Sequence, residues 1–142
     1  MFRGILYCFL AVHGCAGLNS GDLVPPGTKL FMDQIGVECT KKIGIPRDFV
    51  KSYEFSDQSR DAMCYMECLL QHIELIESDG QTMHFEKMKS MVPPEIADKV
   101  LPAVDKCKEE IEISTEACRT SYNFFNCIHD NVPRLFYMGG SA

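Results

Sequence analysis

The sequence predicts an all-α protein, and two observations support that prediction. After residue 25, apolar residues recur at every third or fourth position, which is the spacing of one face of an α-helix. The alternation of apolar and polar residues that is typical of strands does not occur, and neither does an internal repeat or a low-complexity linker. A single domain of about 125 residues accounts for this pattern.

The first residues predict a secretory signal peptide that is cleaved near residue 17. One positive charge, Arg3, precedes a short apolar run, and three small residues follow at positions 15–17. The run falls short of the ~20 apolar residues that a membrane-spanning helix needs. A buried N-terminal core helix is the alternative. We therefore expect a signal peptide over residues 1–17 and the domain over residues 18–142.

The domain begins with a predicted helix over residues 26–42, although Gly36 within it is a weak helix former. Its apolar stripe consists of Leu30, Phe31, Ile35 and Cys39. A turn follows, and a short helix is predicted around residues 49–53. Both predictions rest on apolar residues at helical spacing.

The next helix is predicted by the stretch SDQSRDAMCYMECLLQHIELI. Ser56 or Asp57 offers a side-chain oxygen as its N-cap, and residues 79–80, Asp-Gly, are a stop signal. Its apolar residues are three or four positions apart. They are Met63, Met66, Leu69, Leu70, Ile73 and Ile76.

Three more helices are predicted by the stretches HFEKMKSMV, PEIADKVLPAVDKCKEEIEI and EACRTSYNFFNCIHD. The second of these begins with a proline, which suits the first turn of a helix. Pro102 lies in its interior and is expected to kink or restart it.

Six cysteines follow the signal peptide, and an even number in a small secreted chain predicts a disulfide framework. Cys64 and Cys68 lie one helical turn apart, roughly 5–6 Å between Cβ atoms, whereas a disulfide needs roughly 3.5–4.5 Å. Cys118 and Cys127 fall on opposite faces of their helix. Excluding both pairs leaves ten of the 15 connectivities open. In all ten, disulfides cross-brace different segments of the chain.

A metal site is an alternative use of these residues, because Cys64, Cys68 and His72 line one helical face. Structural zinc sites usually take their cysteines from a turn, with fewer residues between them. We interpret His72 as an ordinary surface histidine, and the sequence predicts no metal and no cofactor.

The charge of the mature chain restricts its partners. Without Arg3, 13 basic residues face 20 acidic residues, a net charge of −7. No basic patch stands out, so the sequence predicts neither nucleic-acid binding nor membrane insertion. The mature chain also has seven methionines and no tryptophan. Methionine suits an interior that accepts varied apolar shapes, with plain core filling as the alternative.

The spacing of the six cysteines resembles that of the insect odorant-binding proteins, the pheromone-binding and general odorant-binding family. Successive cysteines are separated by 24, 3, 38, 10 and 8 residues. The gaps of 3 and 8 match the family's fixed gaps, and the others fall within its range. The stretches CYMECL, SDGQ and CIHDNVPRLF are also similar to the family. The resemblance covers essentially the whole mature chain.

The resemblance implies a compact bundle of about six helices around an apolar cavity, cross-braced by three disulfides. Its cysteine pairing is one of the ten that geometry leaves open. The implied bonds are Cys39–Cys68, Cys64–Cys118 and Cys107–Cys127.

The function implied by the resemblance is that of a carrier, not an enzyme. Such a carrier is secreted into an extracellular fluid such as sensillar lymph, and it binds and solubilises small hydrophobic molecules, odorants or pheromone-like compounds, in its cavity. The expected partner is a small apolar volatile ligand. An olfactory receptor or a second copy of the chain stays open as a further partner.

We expect the ligand to contact apolar side chains from several helices and from the C-terminal tail VPRLFYMGGSA. The tail resembles the family's segment that folds over the cavity, with a frayed terminus as the alternative. Ordinary core packing is the alternative for each contact residue. The expected contact residues are Leu30, Phe31, Ile35, Met63, Met66, Leu69, Ile73, Phe85, Met88, Met91, Val104, Tyr122, Phe125, Phe136 and Tyr137.

A pH switch is a further hypothesis. The resemblance implies that ligand can be released in acid, and histidine titrates near pH ~6.5. His72, His84 and His129 remain in the mature chain. We expect protonation of one or more of them to loosen the tail, with exposed histidines of no special role as the alternative.

Two other classes of protein fit the sequence less well. The letters CIHD at residues 127–130 faintly resemble secreted phospholipases A2, but the adjacent cysteine pair and the glycine-rich calcium loop of those enzymes are missing. A secreted defence or interaction scaffold without a ligand cavity shares the disulfides and the secretion. Such scaffolds are usually shorter, more basic and richer in cysteine.

Overall fold

The computed structural model describes residues 21–140, and in this range the chain forms six α-helices and no β-strand. The all-α prediction is therefore confirmed. The signal peptide predicted for residues 1–17 lies outside the described residues. In chain order the helices are α1 Pro26–Ile43, α2 Arg47–Lys51, α3 Arg60–His72, α4 Phe85–Met91, α5 Ala97–Glu110 and α6 Arg119–Asn131. Short 3₁₀ turns at Pro94–Ile96 and Pro133–Leu135 precede α5 and follow α6.

Helix α1 begins at a proline and ends at a left-handed glycine. Pro26 occupies the first turn, where its missing N–H has no partner to lose. Gly44 adopts a φ of 85° and donates its N–H to the Thr40 carbonyl. Gly36 does not interrupt the helix, and a larger residue would not fit, because a Cβ there would lie 2.8 Å from the Tyr65 Oη. Gly36 therefore leaves room against α1 for the Tyr65 hydroxyl.

Helix α3 begins later than its sequence predicts. Its N-cap is Ser59, whose Oγ accepts the Ala62 N–H at 3.3 Å, so the prediction of Ser56 or Asp57 is wrong. The Asp57 carboxylate instead accepts the Ser59 N–H at 2.9 Å. Asp57 thus forms the turn that leads into the helix.

Helix α3 also ends earlier, before the predicted stop at residues 79–80. The chain leaves the helix near Glu74, which adopts a left-handed φ of 58°. This turn places Leu75 and Ile76 against the core, where they are 4% and 3% exposed. Burial of these two side chains outweighs continuation of the helix, because a regular helix would carry them away from that position.

The Asp79 carboxylate organises the turn that follows. It accepts hydrogen bonds from the Gln81 N–H at 2.8 Å, the Thr82 N–H at 2.9 Å and the Thr82 hydroxyl at 2.7 Å. These bonds hold the pKa of Asp79 below its ordinary value. An isolated antiparallel bridge between Ile76 and Met83 closes the loop.

The last two helices also depart from the sequence pattern in detail. Helix α5 continues through Pro102 and does not restart there. The proline removes one hydrogen bond to the carbonyl of Asp98, and both residues are exposed, so water can satisfy that carbonyl. Cys118, predicted to lie within α6, is instead its N-cap and adopts a left-handed φ of 65°.

Helix α3 is the central helix of the core. It packs against α1 and against α6, while α5 packs against α4 and α6. Tyr65, Met66 and Leu69 of α3 are at most 1% exposed. Nearly complete burial of large side chains on this helix explains why its apolar spacing is so regular.

Three disulfides link these helices. They join α1 to α3 through Cys39–Cys68, α3 to the start of α6 through Cys64–Cys118, and α5 to α6 through Cys107–Cys127. These are the pairs that the family resemblance implies. No cysteine within residues 21–140 is free. Cys64 and Cys68 therefore have no thiolate to offer, and a metal site built on them and His72 is excluded.

Removing the Cys64–Cys118 bond should destabilise the fold more than removing the Cys107–Cys127 bond. The first spans 54 residues and the second 20, so chain entropy predicts a difference of about 1 kcal/mol in the free energy of unfolding. Two variants, each with both cysteines of one bond replaced by alanine, are unfolded in urea to measure this difference. Each variant should lose about 2–5 kcal/mol relative to the parent chain. An equal or reversed order of midpoints would contradict the entropic explanation.

Candidate ligand-binding site

An apolar pocket of about 400 Å³ lies between the helices and the C-terminal tail, which we define as residues 132–140. None of its lining residues is charged. Two other depressions in the described surface are lined mainly by charged and polar side chains. The pocket lining consists of Val24, Gly27, Thr28, Phe31, Met32, Leu69, Leu70, Ile73, Leu75, Met88, Met91, Val92, Pro93, Ile96, Val100, Val104, Phe124, Phe125, Ile128, Leu135, Phe136 and Tyr137.

Every helix except α2 contributes to this lining. Helix α6 supplies Phe124, Phe125 and Ile128, which share one face because they are three and four residues apart. Helix α3 supplies its last turns, so the helix that builds the core also builds the pocket. The pocket is thus continuous with the core, and the apolar faces that form it are the ones that pack the helices together.

The C-terminal tail forms one wall of the pocket. Its residues Leu135, Phe136 and Tyr137 line the space, and Phe136 is only 3% exposed. The Phe136 ring meets the ring of Phe125 edge to face, with 5.6 Å between centroids. Up to Gly140, the tail is therefore a packed part of the structure and does not fray.

Two polar side chains hold the tail in place. Tyr65 of α3 donates its hydroxyl to the Met138 carbonyl at 2.7 Å. Asp33 of α1, itself buried, accepts from the Tyr137 hydroxyl at 2.5 Å and from the Gly140 N–H at 2.9 Å. Burial raises the pKa of Tyr65 to about 12, so its hydroxyl stays protonated and remains a donor at physiological pH.

Nine of the fifteen residues predicted to contact ligand line this pocket. They are Phe31, Leu69, Ile73, Met88, Met91, Val104, Phe125, Phe136 and Tyr137. They come from α1, from α3 and the residue after it, from α4, α5, α6 and from the tail. Contact between ligand and these nine side chains remains a prediction.

The other six residues lie outside the pocket lining: Leu30, Ile35, Met63, Met66, Phe85 and Tyr122. Leu30 is 61% exposed, because its neighbour Phe31 takes the pocket side of α1. Phe85 lies in a separate polar depression, where its ring packs against Phe124 at 6.0 Å.

Four of these six residues belong to the solid core. Met63 and Met66 are 4% and 0% exposed on α3, and Ile35 is equally buried on α1. Tyr122 donates its hydroxyl to the Phe55 carbonyl at 2.8 Å. Helical spacing identified these residues as inward-facing but could not separate the core from the pocket.

The remaining lining residues were not predicted, for two reasons. Leu70 and Phe124 each sit beside a predicted neighbour, and only one residue of each adjacent pair was chosen although both have helical spacing. Val92 and Pro93 lie in the connection between α4 and the 3₁₀ turn. Periodicity carries no signal in such a connection, whereas the helical spacing of Leu70 and Phe124 could have found those two.

Two of the three candidate histidines make exposed ion-pair contacts. The His72 Nε2 lies 2.8 Å from a carboxylate oxygen of Glu38, and the His84 Nε2 lies 3.3 Å from a carboxylate oxygen of Glu77. All four side chains are largely exposed. Exposed pairs of this kind contribute little to stability.

His129 is in a different environment. Its ring packs against two phenylalanine rings that also touch each other, 4.9 Å from that of Phe55 and 5.4 Å from that of Phe136 in the tail. Burial lowers the pKa of His129, and the neighbouring Asp130 carboxylate partly offsets this effect. His129 is therefore the candidate histidine that contacts the pocket wall.

Within residues 21–140, no group of three or more His, Cys, Asp or Glu side chains is arranged to hold a metal ion. No helix in the same range combines the length and apolar character needed to cross a bilayer.

Six helices, three disulfides between them and an uncharged apolar pocket define a class of small, disulfide-braced helical proteins. Residues 24–131 match the PBP/GOBP family, and the chain belongs to that family. The resemblance drawn from the cysteine spacing is thereby confirmed.

Individual relatives agree with this assignment. General odorant-binding protein 57d of Drosophila melanogaster is 24% identical over 102 residues, which are 66% of this chain and 74% of that protein. A crystal structure of a Locusta migratoria odorant-binding protein matches with a TM-score of 0.64 and 28% identity, over 76% of this chain and 84% of the other.

Two further solved structures share the fold at lower identity. Apis mellifera odorant binding protein 5 matches with a TM-score of 0.69 and 20% identity, over 78% of this chain and 93% of its own. Odorant Binding Protein 7 from Anopheles gambiae, solved with four disulfide bridges and an azo compound, matches with a TM-score of 0.64 and 18% identity, over 84% and 99% of the two chains.

Replacing Tyr65 by phenylalanine should loosen the tail. The change removes the donor to the Met138 carbonyl and leaves a buried acceptor without its partner, which costs about 1–3 kcal/mol. Amide hydrogen exchange of residues 136–140 should accelerate by about 5-fold to 150-fold, as the same free energy requires.

Tyr53→Phe is the matched control for this prediction. It deletes a hydroxyl that donates to the Asp57 carbonyl at 2.8 Å, within a local turn that is separate from the tail. Exchange in the tail should not change in this variant. Equal exchange in the Tyr65→Phe variant and the parent chain would show that the hydroxyl does not hold the tail.

Proposed function

We propose that the protein is a secreted carrier that takes small hydrophobic molecules, odorants or pheromone-like compounds, out of water and holds them in the apolar pocket. The observation that carries this proposal is the uncharged lining of the pocket in a chain of the PBP/GOBP family. The family consists of extracellular binding proteins and not of enzymes, which supports both secretion and the absence of catalysis.

Binding in this proposal is driven by burial of apolar surface. Each Å² of apolar ligand surface that leaves water stabilises the complex by roughly 25 cal/mol. A volume of about 400 Å³ holds on the order of 10 to 15 heavy atoms, if each takes about the 30 Å³ of a water molecule. A small volatile ligand therefore fits the pocket. The Anopheles gambiae relative, solved in complex with an azo compound, supports the idea that this fold can hold a small organic ligand.

The alternative, a defence or interaction scaffold without a cavity, is not favoured. It accounts for the three disulfides but gives no reason for an unfilled apolar space between the helices. Unfilled apolar volume costs stability, so a scaffold that only needed rigidity would be expected to fill it. A receptor or a second copy of the chain as a further partner is compatible with either function.

Titration of the oxidised protein with an environment-sensitive apolar dye tests the proposal. Saturable binding near one site per chain is expected, with displacement by volatile alcohols, aldehydes, esters or terpenoids and loss of binding after reduction of the disulfides. A folded, oxidised protein without a saturable site would refute the carrier function.

Ile73→Trp should reduce dye affinity by about tenfold or more, because the larger side chain occupies part of the pocket that Ile73 lines. Ile113→Trp is the matched control, since Ile113 is 49% exposed and lies outside the lining. Circular dichroism should show that both variants keep their helices. Unchanged affinity in a folded Ile73→Trp variant would place the dye elsewhere.

We further propose that His129 is the histidine that links pH to the tail. Among the three candidates it alone packs against Phe136, a residue of the pocket wall. Protonation would place a charge against two phenylalanine rings in a partly buried position. Because that position disfavours the charged form, acid should favour states in which the ring has left it.

The direction of the pH effect follows from the lowered pKa of His129 in the folded chain. In the unfolded chain, or when the tail is open, His129 binds a proton near pH ~6.5. In the closed structure the packed ring binds its proton only at a lower pH. Stability of the closed tail is therefore complete above that pH and is lost as the pH falls through it. The parent protein should bind the dye more weakly at pH 5 than at pH 7.

His129→Phe should remove this dependence on pH, because the ring contacts persist without a titrating group. His84→Phe is the control, since His84 is exposed, lies beside Glu77 and does not line the pocket. The ratio of dye affinities at the two pH values is the measurement. An undiminished acid loss in the His129→Phe variant would assign the effect to another group.

A further inference from the structure

The hydroxyl groups of the pocket lie on helix α1 or against it. Of the described side chains that line the pocket, only those of Thr28 and Tyr137 carry a hydroxyl, and none carries a charge. Thr28 lies in the first turn of α1. Tyr137 packs against the same region, with the Lys29 Nζ 5.3 Å from its ring centroid. The start of α1 is thus the polar end of an otherwise apolar space.

The two hydroxyls differ in their remaining hydrogen-bonding capacity. The Tyr137 hydroxyl donates its proton to Asp33, so it is committed to holding the tail. Within residues 21–140, the Thr28 hydroxyl has no hydrogen-bond partner from the protein. A threonine hydroxyl can donate one hydrogen bond and accept others. Thr28 is therefore the lining side chain that can serve either a donor or an acceptor on a ligand.

We propose that Thr28 determines specificity by binding the single uncharged oxygen, a hydroxyl or a carbonyl, of an otherwise apolar ligand. This inference rests on the proposed carrier function and names the ligand class for the same pocket. The oxygen lies at the α1 end, and the hydrocarbon part extends towards α3, α6 and the tail. The described lining carries no cationic side chain, and Lys29 packs on the Tyr137 ring without lining the pocket. An uncharged oxygen therefore suits this end better than a carboxylate, whose burial without a partner is costly.

The proposal predicts a change in selectivity when Thr28 becomes valine, which keeps the shape of the side chain and removes its hydroxyl. The probes are 1-octanol and n-nonane, which have the same number of heavy atoms, each titrated by displacement of the apolar dye. Thr28→Val should lower the affinity for 1-octanol by about 5-fold, the usual contribution of one hydrogen bond. The affinity for n-nonane should not change. Thr28→Ser should retain the parent affinity for 1-octanol.

Thr115→Val is the matched control, because Thr115 is exposed in the loop between α5 and α6 and does not line the pocket. This substitution should change the affinity for neither ligand. If Thr28→Val lowers the affinity for both ligands equally, Thr28 only shapes the pocket wall. If it lowers the affinity for neither, Thr28 does not bind the ligand oxygen. Tighter binding of octanoate than of 1-octanol would likewise overturn the proposal.

Failure of the carrier function gives a different result from failure of this inference. If the parent protein binds neither the dye nor the two ligands, the pocket is not a ligand site and both proposals fall. If the dye and n-nonane bind to every variant and Thr28→Val does not change the affinity for 1-octanol, the carrier function is supported and the role of Thr28 is refuted.

Discussion

Helix α3 is the constraint on which the rest of the structure depends, because two disulfides leave it for different helices. Cys68 bonds to α1, and Cys64 bonds to the residue that starts α6. Helices held only by side-chain packing lose several kcal/mol when their interior is left unfilled. Covalent links offset part of that cost by restricting the unfolded chain. The disulfides therefore explain how a chain of this size can hold an open apolar space next to a closely packed core.

The core and the pocket lie along the same helices, and this limits what the sequence can predict. Met66 is in the solid core and Leu69 lines the pocket, yet both are fully buried and three residues apart. Their apolar spacing is the same signal in either case. Distinguishing them requires the positions of the facing side chains, which depend on every other helix. Leu30 and Phe31 show the same limit at the surface, where both are exposed but only Phe31 lines the pocket.

The sequence predicts the helices well because each has one apolar face, whereas helix ends depend on tertiary contacts. The chain turns away from α3 at Glu74, whose left-handed conformation is not predicted by any local sequence signal. The turn buries the two residues that follow it. Local geometry left ten disulfide pairings open, so the resemblance to the family was needed to choose among them. Gly36 suggests a helix break, but it lies within α1 and leaves room for the Tyr65 hydroxyl.

The tail shows why a pocket wall can be held by polar contacts. Asp33 is a carboxylate on a helix, which in isolation reads as a surface residue, and its partner Tyr137 lies 104 residues further along the chain. Each hydrogen bond to a carboxylate adds only about 1.5–3 kcal/mol net, because water replaces it when the tail opens. Packing of Phe136 against Phe125 adds the apolar part of the closing free energy. A wall held this way costs less to open than the disulfide-linked helices opposite, so the passage of a ligand is expected there.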